Sequence, residues 1–111
     1  MSLFRRGKEE TPEHAVLLHY ALSNDEYGTN QEREDVFKLE ERLEEAIAGA
    51  GAGELDGNEF GGGEAVLYMY GPSTDALWSA VEPVARDFPL RPAYALLGAG
   101  GPEVEPTRIE L

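Results

Sequence analysis

Glu54-Leu55-Asp56-Gly57-Asn58-Glu59-Phe60-Gly61-Gly62-Gly63-Glu64-Ala65-Val66-Leu67-Tyr68-Met69-Tyr70 lies at the middle of a 111-residue chain and reads as a β-hairpin. Its first arm, Glu54–Phe60, is polar and carries charge, as an edge strand does to discourage pairing with other chains. Its second arm, Glu64–Tyr70, is apolar and suits a central position. The three glycines between them supply the positive φ that a tight hairpin turn needs.

On the N-terminal side of the hairpin the pattern is helical. Thr29-Asn30-Gln31-Glu32 fits a capping box, in which the threonine oxygen accepts an amide while Glu32 reaches back. Val36, Leu39, Leu43, Ala46, Ile47 and Ala50 then recur at spacings of three and four and line one face, leaving Glu34, Lys38, Glu41, Arg42 and Glu45 on the others. Gly49, Gly51 and Gly53 provide the exit. Before this helix, His14–Leu22 is a continuous apolar run of strand length, bounded by Pro12 and by Ser23-Asn24-Asp25, as a strand buried on both faces should be.

On the C-terminal side, Gly71–Asp75 breaks the strand and opens a second helix with Leu77, Val81, Val84 and Phe88 on its stripe. Pro83 falls inside that stripe and predicts a kink, or a helix that restarts with Pro83 in its first turn. Pro92–Ala99 reads as a further strand, and Thr107–Leu111 as an optional edge strand. The order β-α-β-β-α-β predicts an α+β, ferredoxin-like split βαβ sandwich: one antiparallel sheet with two helices on one face, the first and third strands central. Residues 1–12, with Arg5, Arg6 and Lys8, form a basic tail, and residues 13–111 a single domain.

Composition narrows the chemistry. The net charge of −13 opposes nucleic-acid backbones. With no cysteine there is no disulfide, thiolate zinc site or cysteine nucleophile. No apolar run reaches signal-peptide or membrane-span length, so a cytoplasmic protein away from membranes is expected. Charge is also localised: residues 9–64 hold 16 acidic and three basic side chains, while the segments on either side offset one another. The acidity therefore belongs to the first helix and the hairpin.

Each candidate site has a plainer counterpart. Alternation along the first strand sends His14 and His19 to opposite faces, so they cannot share a metal or proton relay. Tyr68 and Tyr70 share a face of the third strand, with Tyr20 and Tyr94 as candidates to lie beside them. RNA-recognition domains of this topology stack bases on such aromatics, but surround them with lysine and arginine that are scarce here. A packed or self-associating face fits better. The stretch from Asp56 meets an EF-hand loop at Asp56, Asn58 and Gly61, yet has Phe60 and Leu67 where oxygen ligands are required. A looser oxygen site on Asp56, Asn58, Glu59 and Glu64 is outweighed by turn chemistry, which explains the glycines without a ligand. Paired carboxylates such as Glu40-Glu41 and Glu44-Glu45 sit on a solvated helix face, not in a pocket that separates two pKa values. No catalytic residue, metal or cofactor is expected.

From Gly53 to Gly71 the chain resembles a group of small acidic bacterial proteins with the same element order over about residues 14–111. That resemblance implies no activity. More remotely, its acidity and split βαβ layout are similar to the regulator of ribonuclease E activity B family, whose members bind and restrain a ribonuclease; the chain lacks that family's long acidic tail.

Together these observations point to a non-enzymatic interaction module whose acidic helix face, around Glu34, Glu41, Glu44 and Glu45, docks a basic protein, a nuclease or nuclease-type toxin being one such partner. One alternative is a small-molecule site or enzyme between sheet and hairpin, using Asp56, Asn58, Glu59, Tyr68, Tyr70 and His19. Another is a structural homodimer packed through the sheet.

Overall fold

The structure is a computed structural model that describes residues 14–99 and 105–111, so the expectation for the basic segment 1–12 lies outside the described residues. The elements are β1 (His14–Ala21), α1 (Asn30–Ala50), β2 (Glu54–Gly61), β3 (Glu64–Tyr70), α2 (Thr74–Asp87), β4 (Ala93–Ala99) and β5 (Thr107–Glu110). The five strands form one antiparallel sheet in the order β2-β3-β1-β4-β5. This is the ferredoxin-like split βαβ arrangement extended by β5, which turns β4 from an edge into an interior strand. No helix among the described residues is long and apolar enough to cross a membrane.

Local chemistry sets the elements. Thr29 accepts the Glu32 amide at 3.0 Å while the Glu32 carboxylate accepts the Thr29 amide, so the capping box is closed. In the hairpin, Gly61 pairs with Glu64 across Gly62 and Gly63, whose φ values of +61° and +84° are those of a two-residue turn with both central residues left-handed. The sheet face under the helices carries Val16, Leu18 and Tyr20 of β1, Ala65, Leu67 and Met69 of β3, and Ala93 and Ala95 of β4, all buried. Val36, Leu39, Leu43 and Ile47 of α1 and Leu77, Val81 and Ala85 of α2 close on them. Ala50 is exposed, and on α2 Val84 packs against the core only partly buried while Ala85 beside it is fully buried.

Pro83 does not restart a helix. α2 runs unbroken from Thr74 to Asp87 with Pro83 inside it. Pro83 and Ser79 are both exposed, so water is at hand for the carbonyl that the proline strips of its partner. The end of α2 is less simple. Pro89 has no amide to give the Ala85 carbonyl four residues back, and the Tyr20 hydroxyl, reaching across from β1, donates to it at 2.9 Å. Arg91 donates to the Arg86 carbonyl in the last turn and to the carbonyls of Phe88 and Leu90 just beyond it.

Candidate functional site

Fold geometry divides the acidic residues of α1 by their angle around the helix. The stripe opposite the buried one holds Glu34, Glu41 and Glu45, all exposed, with Lys38 beside them. Glu44 lies on the flank that faces β2. There it joins Ile47, Ala48, Gly53, Glu54 and Leu55 around a shallow cleft of about 310 Å³. Glu40, one turn earlier on the same flank, accepts a 2.7 Å hydrogen bond from the Asn58 side chain. Burial, reinforced by the neighbouring Glu44, raises the Glu40 pKa, and the Asn58 hydrogen bond works against that rise. The other flank of α1 turns to α2, where Arg42 pairs with Asp87 at 3.0 Å. That side holds a second cleft, of about 250 Å³, lined by Asp35, Lys38, Leu39, Arg42, Phe88 and Pro89. The charge on α1 is therefore polarised: acidic outward and toward β2, mixed toward α2.

The residues taken together from the hairpin separate. Asn58 pairs in register with Leu67 and points to the helix layer, while Glu59, Tyr68 and Tyr70 belong to the opposite, helix-free face. Asp56 sits where the β2–β3 register slips between Leu55 and Gly57, the extra residue of a bulge. The Tyr68 hydroxyl donates to Glu59 at 2.7 Å, and partial burial, followed by that carboxylate, raises its pKa. Of the two tyrosines considered as neighbours, Tyr20 is corrected: it is a core residue under the helices, because it shares the parity of Val16 and Leu18. Tyr94 does lie on the open face.

Across that face, Glu59, Val66, His19, Tyr94 and Glu110 form one row, and Gly57, Tyr68, Leu17, Leu96 and Arg108 the next. The His19 ring stacks on Tyr94 with centroids 4.4 Å apart, and the Arg108 guanidinium lies 3.6 Å from the centre of the Tyr94 ring. His19 Nδ1 lies 3.2 Å from the Glu64 carboxylate, which fixes it as the donor, and buried Nε2 has no hydrogen-bond partner among the described residues. His14, on the other face, contacts Thr74, whose hydroxyl donates to the Gly98 carbonyl at 2.7 Å. Neither cleft described above includes Asp56, Glu59, Tyr68, Tyr70 or His19.

Two residues escaped the reading by sequence. Among the described residues, Phe37 of α1 and Tyr27 of the β1–α1 loop are the large hydrophobic side chains left most open to solvent, 47% and 59% exposed. Both stand at the C-terminal end of β2: Phe37 packs edge-on against Phe60, centroids 5.9 Å apart, and the Tyr27 ring reaches to 4.0 Å from where a Cβ on Gly61 would be. The signal for Phe37 was its place directly after Val36, off the buried stripe. Tyr27 had no signal, since its loop offers no periodicity.

Comparison with known protein families, characterised proteins and solved structures finds no match for this chain.

Proposed function

We propose that this protein is a non-enzymatic interaction module that docks a basic protein partner on the acidic surface of α1 and the adjoining edge of β2. The observation that carries this reading is the arrangement of Glu34, Glu41 and Glu45 on the outward stripe of α1, continued through Glu44 to Glu54 across the α1–β2 boundary. Such a surface speeds encounter with a positively charged protein and disfavours acidic ones. A nuclease or nuclease-type toxin suits it, because a protein that binds nucleic acid exposes a basic surface for an acidic inhibitor to occupy.

Affinity capture from native cell extract at two salt concentrations tests the proposal, with the Glu34→Lys/Glu41→Lys/Glu45→Lys variant in parallel. A partner held at low salt, released at high salt and lost by the variant is the expected result. A partner retained equally under all conditions would refute the electrostatic basis.

A second reading has its own support: the helix-free face, with Leu17, Val66 and Leu96 between His19, Tyr94 and Tyr68, favours a homodimer packed sheet to sheet. Light scattering across a range of concentrations distinguishes it, a monomeric mass throughout removing it.

A further inference from the structure

The two edges of the sheet differ in character. β2 carries Glu54, Asp56 and Glu59 and is broken by the bulge at Asp56, so a second copy laid along it would meet an irregular ladder and like charges. β5 is short and regular, and its two exposed charged side chains, Arg108 and Glu110, are of opposite sign. Its ladder parity is fixed as well. The Leu111 amide donates to the Ala93 carbonyl at 3.0 Å, so by alternation Ile109 and Thr107 also bond inward to β4, and the amides and carbonyls of Arg108 and Glu110 point out from the sheet. Arg86 reaches the Glu110 carbonyl at 3.4 Å, which leaves that oxygen its second lone pair.

This outward pattern is self-complementary. Laid antiparallel on itself about Ile109, β5 sets Arg108 opposite Glu110 of the copy and Glu110 opposite Arg108, and those same residues hold the outward amides and carbonyls that would exchange hydrogen bonds. Pairing centred instead on Arg108 or on Glu110 puts like charges opposite each other. Backbone parity and charge therefore select one register. Within its own strand Arg108 pairs with Glu110, so the four side chains of two copies alternate in sign around a square, each cation between two carboxylates. On the other face Ile109, which already packs against the core, meets Ile109 of the copy.

The distribution of charge favours this edge too. α1 lies over β2, while α2 lies over β1 and β4. Residues 65–111, which include β4 and β5, hold six acidic and three basic side chains, against 16 and three in residues 9–64. With two copies joined at β5, their β2 edges stand nine strand spacings of about 4.8 Å apart, roughly 43 Å, several times the Debye length of about 8 Å at physiological salt. The most acidic surfaces are thus kept apart.

We infer that two copies of this chain pair through β5 across a two-fold axis normal to the sheet, placing the five strands of each copy edge to edge in one continuous sheet with an acidic α1 surface at either end. The pairing holds whatever those surfaces bind, and it differs from a sheet-to-sheet homodimer, in which the helix-free faces meet. Four residues a side place it among weak interfaces of less than about 1,200 Å², so the dimer populates at submillimolar chain concentration.

Sedimentation and ¹⁵N–¹H NMR of the full chain, diluted from about 1 mM, test this. The mass rises toward a dimer with concentration, and the accompanying shift changes centre on the amides of Arg108 and Glu110. Arg108→Glu and Glu110→Arg each set like charges opposite in both cross-strand pairs and weaken self-association about tenfold, the scale of two such pairs reversed. An equimolar mixture of the two variants regains dimerisation, because every cross-strand pair is then opposite in sign, and Arg108→Glu/Glu110→Arg regains it within one chain. Thermal melting confirms each fold. A monomeric mass at the highest concentration refutes the pairing. So do single variants that self-associate like the parent, a mixture no tighter than either variant alone, or shift changes centred on Leu17, Val66 and Leu96 of the helix-free face.

Discussion

Tyr20→Phe isolates a single hydroxyl at the junction of sheet and helix. Tyr20 is fully buried, and its ring packs edge-on against Phe88 at 4.9 Å, a contact that phenylalanine keeps. What is lost is the 2.9 Å hydrogen bond to the Ala85 carbonyl, whose ordinary partner would be the amide that Pro89 lacks. A buried acceptor left unpaired costs about 1–3 kcal/mol. At about 4 °C per kcal/mol for a domain of this size, Tyr20→Phe melts roughly 4–12 °C below the parent. Calorimetry and urea unfolding at pH 7 measure this, with Tyr27→Phe as the exposed control. Burial also raises the Tyr20 pKa, with Arg91 only partly opposing. A raised folded-state pKa means stability present below the unfolded value of about 10 and lost as pH rises past it, so the parent has a steeper alkaline loss than Tyr20→Phe. A variant that melts within about 2 °C of the parent would show that the hydroxyl does not serve the orphaned carbonyl.

Other perturbations follow from the same geometry. Glu32 accepts from Thr29 and Ser23, and the Thr29 amide foremost lowers its pKa; its contribution is full above the ordinary carboxylate range and lost as pH falls through the lowered value. Glu32→Ala should therefore cost about 1–2 kcal/mol in urea unfolding at pH 7, with the difference shrinking in strong acid. Gly53→Ala places a Cβ 2.0 Å from the Tyr70 carbonyl oxygen at φ +143°, whereas a Cβ on Gly57 meets nothing within 4 Å. Melting curves should show a loss of about 2 kcal/mol or more for the first and a much smaller change for the second. Glu34→Lys/Glu41→Lys/Glu45→Lys should melt within a few degrees of the parent, since all three side chains are exposed, so a binding defect in that variant is a surface effect.

Legibility in the sequence tracked how local the cause was. The capping box, the glycine turn and the strand parities of His14 and His19 depend on neighbours in the chain, and the structure bears them out. Of the two outcomes expected at Pro83, the restarted helix is excluded, because the helix runs through the proline from Thr74 to Asp87. The hairpin candidates Asn58 and Glu59 are adjacent in sequence yet face opposite layers, which strand alternation allowed and the bulge at Asp56 made hard to count.

By itself the sequence determined the element order, the split βαβ arrangement and the concentration of acidity in one helix and one hairpin, because periodicity, turn chemistry and charge are written residue by residue. Only the tertiary structure decided which carboxylates share a surface, sending Glu44 to the β2 flank while Glu34, Glu41 and Glu45 stay on the outer stripe. It also decided that Tyr20 repairs the end of a helix 65 residues away, and that Phe37 packs against Phe60 while Tyr27 reaches Gly61. Such relations depend on distances between elements that fold together, which no window along the chain contains.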